Sequence, residues 1–336
     1  MESVTYKSFK DEMLRGTRRG VYVLHGNDSY LMGRAEDMIT EGSEKIPVDL
    51  RKMDGEEISG PFLSFFSGRR TVIVEGLSQD LPKKKLEEFF DLLSDPVPEL
   101  IVLIKDYSQD ERQKPFPKQL EKMFPETVQC VLVNAGKPDE RTALAEAYGY
   151  ADEIGCTVDS RAMQLIYNYC DGDLEMMTSE IRKMSSYDEG KITADTVELL
   201  CTKSPNAWIY GLISKIERGD ASGSMETLRE LIKQKMEPAT ISSVLIDTYT
   251  SVVRAQSARV SGKRYDSMLE DFGLPANKRS EISWSKSGRY SDEQMKETIS
   301  VLWDLDQSLK SSGGDASTAL VEAVSKLVDI LGSRRR

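Results

Sequence analysis

Along the first 135 residues or so, short apolar runs rich in β-branched residues take turns with segments of helical period. The runs are Val21-Tyr22-Val23-Leu24, residues 48–53, Thr71-Val72-Ile73-Val74, Leu100-Ile101-Val102-Leu103-Ile104 and residues 128–133. Each is nearly continuous rather than alternating, which fits strands buried on both faces of a parallel sheet covered by helices. Helical periods fill the intervals at about residues 30–44, 56–66, 83–93 and 114–123. Strand and helix in alternation predict an α/β domain over residues 1–135.

Beyond Asn134 no further strand is expected. Between Pro138 and Cys201, glycines and aspartates cut the chain into four short helices. Asp159 and Thr193 are the expected N-caps of two of them, and the turn Asp171-Gly172-Asp173 opens another at Leu174. After Pro205 everything reads as helix. The last is the clearest: Leu320, Val324, Leu327 and Leu331 form one apolar stripe, with Val321 and Val328 beside them and the turn Gly313-Gly314 ahead. The expectation is a small helical domain over residues 136–205 and a larger all-α domain over residues 206–336.

Composition narrows the function classes. The net charge is −11, from 45 basic and 56 acidic residues. Phosphate neutralisation supplies most non-specific affinity for nucleic acid, so an acidic chain is expected to bind free DNA weakly and to touch it only inside a larger assembly. Cys130, Cys156, Cys170 and Cys201 are far apart and His25 is the only histidine, which reads as four reduced, largely buried thiols rather than a metal centre. With one histidine, no Ser/His/Asp or Cys/His set can be assembled. No apolar run of about 18 residues is present, and the polar N-terminus lacks a signal-peptide core, so a cytoplasmic address is expected.

The first strand runs into Gly26 and then a helix, which is where a nucleotide-binding protein places G-x-x-x-x-G-K-[ST]. Counted from Gly26, the second glycine is replaced by Leu31, and Met32 and Gly33 stand where the lysine and hydroxyl belong. Gly33-Arg34 comes late and is followed by Ala35, while Asp28 puts a negative charge near the phosphate position. Asn27 or Asp28 reads as a helix cap instead. Glu75 and Asp106 end two other strands in acid, but without the lysine they have no metal–phosphate to serve. Neither a cofactor nor a catalytic residue is expected.

An α/β domain without its phosphate lysine, then a helical lid, then a helical collar, is the layout of clamp-loader subunits. Four stretches resemble the bacterial delta subunit family of DNA polymerase III. They are Val21 through Leu31; Ser64-Phe65-Phe66-Ser67-Gly68-Arg69-Arg70 leading into a strand; Asp171-Gly172-Asp173-Leu174 through Ile181-Arg182-Lys183-Met184 to Thr193; and Trp208-Ile209-Tyr210 with Ile216 to Asp220 and Glu237-Pro238. The resemblance implies a degenerate AAA+-like parallel sheet in the first domain. It also implies a subunit that binds and opens the beta sliding clamp while hydrolysing no ATP itself. Its partners are then the gamma/tau motor subunits and the delta-prime subunit, with primed DNA met only in the complex, and the isolated chain is a monomer.

In that family two adjacent apolar side chains wedge into the clamp; carried over, they are Phe65 and Phe66, with Leu63 and Phe62 close by. Here phenylalanine stands first, where leucine is common. The residues alone already point to this segment, because residues 61–66 hold four large apolar side chains ahead of the turn Ser67-Gly68. A helix can bury only part of such a run. Either Phe62, Leu63 and Phe66 pack on the sheet and only Phe65 is partly exposed, or at least one phenylalanine anchors a partner. The second candidate is a basic island near Trp284, with Lys278 and Arg279 as possible DNA contacts and Lys286 to Arg289 beyond; a solvated helix face is the plainer account. Two rival functions stand beside the clamp loader. One is an ATP-binding ATPase of the same superfamily, the other an interaction module of this layout serving a process other than replication.

Overall fold

The computed structural model describes residues 1–62, 68–94, 99–107, 115–187, 190–274, 278–310 and 315–332, with the backbone alone for residues 278 and 279. The chain divides into two compact units, Met1–Met163 with Asp173–Ile192, and Gln164–Gly172 with Thr193–Arg336.

In the first unit the elements run β1 (Glu2–Thr5), α1 (Tyr6–Leu14), β2 (Val21–Gly26), α2 (Ser29–Thr40), β3 (Glu44–Asp49) and α3 (Glu56–Ser59) with a 3₁₀ turn at Gly60–Phe62. Then come β4 (Arg70–Glu75), α4 (Lys83–Ser94), β5 (Leu100–Tyr107), α5 (Lys118–Glu121), β6 (Cys130–Asn134), α6 (Glu140–Glu153) and β7 (Thr157–Val158). The helix α7 (Ser160–Tyr169) runs across the division; α8 (Leu174–Ser185) and β8 (Lys191–Ile192) return to the first unit.

Six strands form one parallel sheet in the order β1-β6-β2-β5-β4-β3. The α/β class is as expected, and the reason is visible in β2, whose six residues are all buried. Edge strand β3 carries Lys45 and Pro47, residues that discourage further strand pairing. Its run was expected at residues 48–53 and lies four residues earlier. β1 and α1 were not foreseen, because β1 is an exposed edge of four residues. A second departure is the parallel pair β7–β8, Thr157↔Lys191 and Val158↔Ile192, beyond the point where strands were expected to stop. Two-residue strands carry no readable period.

The sheet order puts β2 at a topological switch. Its neighbours are β5 and β6, and the chain passes from β5 to β6 by crossing over it. In open parallel sheets the crevice at the carboxyl end of such a strand is the usual ligand position. Here that position is Gly26 to Asp28.

The second unit continues with α9 (Ala194–Leu200), α10 (Pro205–Glu217), α11 (Ala221–Lys233), α12 (Pro238–Val260), α13 (Tyr265–Phe272), α14 (Lys278–Lys286), α15 (Asp292–Lys310) and α16 (Ala316–Gly332). Thr193 caps α9 in a full capping box, as expected, and Asp173, expected only as part of a turn, caps α8. The stripe Leu320, Val324, Leu327 and Leu331 is buried against Ile209, Leu212, Ile216, Leu228, Leu245 and Tyr249. Gly332 ends α16 against Gly219, where an added Cβ would stand 2.4 Å from the Gly219 Cα. No described helix is long and apolar enough to cross a membrane.

Candidate functional site

Two places bear on function: the turn after β2 and the apolar segment before β4. At the first, Asp28 is the N-cap of α2, and its Oδ1 accepts the Leu31 amide at 2.8 Å. The helix N-terminus, which attracts anions through its free amides, is thus occupied by the chain's own carboxylate. Burial raises the Asp28 carboxyl above its usual value, the Leu31 amide opposes this, and Asp173 adds to it. Gly26 has a packing role. An added Cβ would lie 2.1 Å from the Ala135 carbonyl oxygen, so the end of β2 is pressed onto the backbone that leaves β6. The Asp28 amide donates to that same carbonyl at 3.2 Å.

The neighbouring acids are engaged as well. Asp106 Oδ2 lies 2.7 Å from His25 Nδ1, across the register pair of β2 and β5. Glu75 pairs with Lys105 at 3.3 Å, and Lys105 also reaches Glu36 at 3.0 Å. Burial lifts the Glu36 carboxyl, but Lys105 and Lys45 outweigh it and hold the group below its usual range. Arg34, two residues beyond the missing lysine's place along the chain, is bonded to Glu153 of α6. Above the turn, Ser29 donates to Glu175 of α8 at 2.6 Å. A phosphate brought here meets the Asp28 carboxylate, which lies within the field of both Asp173 and Lys137, and Glu175 held by Ser29.

At the second place, Leu63, Phe65 and Phe66 lie outside the described residues, but both ends of the segment are described. Phe62 is buried, edge-on to Phe89 at 6.4 Å. Phe89 meets Phe90 at 5.3 Å, Phe90 meets Phe124 at 4.9 Å, Phe124 meets Phe116, and Phe116 meets His25 at 5.8 Å. A continuous aromatic core therefore runs from the root of the apolar segment to the end of β2. At the other end Gly68 takes φ +104°, open to glycine and costly for other residues. The buried Arg70 then begins β4, and its Nη1 reaches back to the Pro61 carbonyl at 3.5 Å. Both ends are therefore rooted close together in a rigid core, the arrangement a recognition segment needs.

The sequence missed this clip. Arg70 stands between a turn and a β-branched run, a position where an arginine is expected at the surface. That mismatch was the available signal. Of the two arrangements open for residues 61–66, the described part settles only Phe62, which packs in the core.

In the second unit the side chains of Lys278 and Arg279 lie outside the described residues. Lys286 is turned inward, its Nζ 2.6 Å from Glu217, with the two side chains only 17% and 12% exposed. It is not free for phosphate. Arg259 stacks on Trp284 at 4.4 Å from the ring centre and donates to its carbonyl, so the tryptophan face already carries a cation. Lys83 and Lys84 are exposed and pair with Glu87 and Glu88 along α4, while the more covered Lys85 pairs with Asp54 at 2.6 Å. The four cysteines are free, three of them buried.

The model of the DNA polymerase III, delta subunit, matches residues 22–131, and that of the DNA polymerase III delta subunit, C-terminal domain, matches residues 206–327. Together they take in more than half of the chain. The DNA polymerase III subunit delta of Bacillus subtilis is 22% identical over 335 residues, covering 94% of this chain and 93% of the relative. The solved structure of the Bacillus subtilis DNA clamp loader delta protein superposes with a TM-score of 0.60 at 19% identity, covering 96% of this chain and 99% of that one. With an α/β unit and a helical unit in this order, the chain belongs to the DNA polymerase III delta subunit family, an accessory subunit of the replication machinery.

Proposed function

We propose that the chain is the clamp-opening subunit of a DNA polymerase III clamp loader. It grips the beta sliding clamp through Leu63, Phe65 and Phe66 and hydrolyses no ATP itself. The observation that carries this is the rooted apolar segment. Phe62 is fixed in the aromatic core and Arg70 closes on Pro61, so the described residues on either side of Leu63, Phe65 and Phe66 are both held. Aromatic anchors on a rigid base supply most of the energy of small interfaces.

The same reading assigns ATP to other subunits, supported by Asp28 filling the helix end and by Glu75 and Asp106 being paired. Opening then comes from differential affinity: the wedge binds the open clamp interface better than the closed one, and only that difference shifts the equilibrium. The proposal keeps the three-part division at residues 135 and 205, with residues 206–336 as the collar that joins gamma/tau motor subunits and delta-prime. It also includes a cytoplasmic address, a monomeric isolated chain, and DNA contact, through Lys278 and Arg279, confined to the assembly.

Fluorophores placed on either side of the clamp's subunit interface test the opening step. Adding the chain without nucleotide is expected to separate the pair. An unchanged signal at saturating chain overturns the reading.

A further inference from the structure

Three polar links fasten the helices α6 and α8 to the α1–α2 side of the first unit. Lys10 of α1 pairs with Glu146 of α6 at 2.7 Å, Arg34 of α2 pairs with Glu153 of α6, and Ser29 of α2 donates to Glu175 of α8 at 2.6 Å. The Lys10–Glu146 pair is well covered, with Glu146 only 10% exposed, and the buried Tyr6 lies within the field of Glu146, Arg34 and Glu153. Two of the three links, Ser29 and Arg34, come from α2, the helix whose N-terminus would hold a phosphate in a nucleotide-binding sheet. The Ser29–Glu175 link sits at that N-terminus itself, and the other two tie α6 to α1 and α2.

We propose that these side chains form a built-in latch, which holds α6 and α8 on the sheet in one arrangement whether or not nucleotide is present. The unit then acts as a fixed lever, with its internal geometry set by ion pairs instead of by a bound ligand. The inference is independent of where the clamp docks. Because the Arg34–Glu153 pair reaches the surface, the latch weakens with salt, the covered Lys10–Glu146 pair less so.

Hydrogen–deuterium exchange on the full chain tests this, with and without Mg-ATP and at low and high salt. In Lys10→Ala/Arg34→Ala, amides of α6 and α8 are expected to exchange faster by about 5- to 30-fold, while those of β2 and β5 keep their wild-type rates. The charge swap Arg34→Glu/Glu153→Arg is expected to exchange close to wild type, and high salt to speed α6 and α8 in wild type more than in the double variant. Mg-ATP is expected to change nothing in wild type. Unchanged α6 and α8 rates in the double variant overturn the latch, as does an equal rise across the sheet. Slowing of α6 and α8 by Mg-ATP also overturns it, since nucleotide would then be doing the fastening.

Discussion

The Asp28 carboxylate accepts the Leu31 amide at 2.8 Å, so the end of α2 that could receive a phosphate is closed by a side chain three residues away. Replacing the cap by alanine is expected to cost about 1 kcal/mol in chemical denaturation. It is not expected to create ATP binding, because Asp173 and Glu175 remain and Met32 still stands where the phosphate motif needs its lysine. Saturable ATP binding by Asp28→Ala, measured by calorimetry, contradicts this account.

The same residue gives a pH dependence. Burial first, and Asp173 with it, raises the Asp28 carboxyl in the folded chain. A carboxyl raised by folding contributes stability below its unfolded value and loses it as pH rises through the folded value. Asp28→Asn keeps a good cap without the charge. Its stability relative to wild type is therefore expected to climb with pH across that window and to level off above it. Urea titrations over a pH series read this directly; a relative stability that climbs toward acid pH contradicts it.

Gly26→Ala is expected to destabilise the first unit by about 1–3 kcal/mol or more, since backbone rather than a flexible side chain blocks the new methyl. Thermal or urea unfolding followed by circular dichroism provides the check.

Phe62→Ala is expected to cost about 3–5 kcal/mol, because Phe62 is the described aromatic of its segment and packs in the core. A loss under 1 kcal/mol, on the order of an ordinary surface change, would show that the segment is not rooted there.

In the second unit, Lys286→Ala leaves Glu217 mostly buried beside Tyr290 and Tyr249, whose hydroxyls burial and Glu217 together push upward. The expected loss is about 2–3 kcal/mol, less than for a fully buried pair because some solvent reaches both ends. Lys286→Met/Glu217→Leu is expected to recover most of it, which a denaturant titration of the three variants resolves.

Strand runs such as Val21 to Leu24 and Val72 to Val74 were legible because burial on both faces leaves a continuous apolar string. The cap Thr193 and the turn ending at Asp173 were legible because a short polar side chain before a helical period has few other uses. β7 and β8 were too short to leave a pattern, and exposed β1 has no apolar face to display. At the site, the missing lysine was legible from spacing alone. The pairing of Asp106 with His25 and of Glu75 with Lys105 was not, because it depends on register between β2, β5 and β4. Likewise Lys286 read as a surface cation until α10 brought Glu217 against it.

The central claim, that the apolar side chains after Phe62 grip the clamp, is tested most directly by clamp binding without nucleotide, comparing wild type with Phe65→Ala/Phe66→Ala. The account expects binding to fall at least tenfold, about 1.4 kcal/mol, in a variant whose circular dichroism and unfolding match wild type. Equal binding by a folded double variant would contradict it.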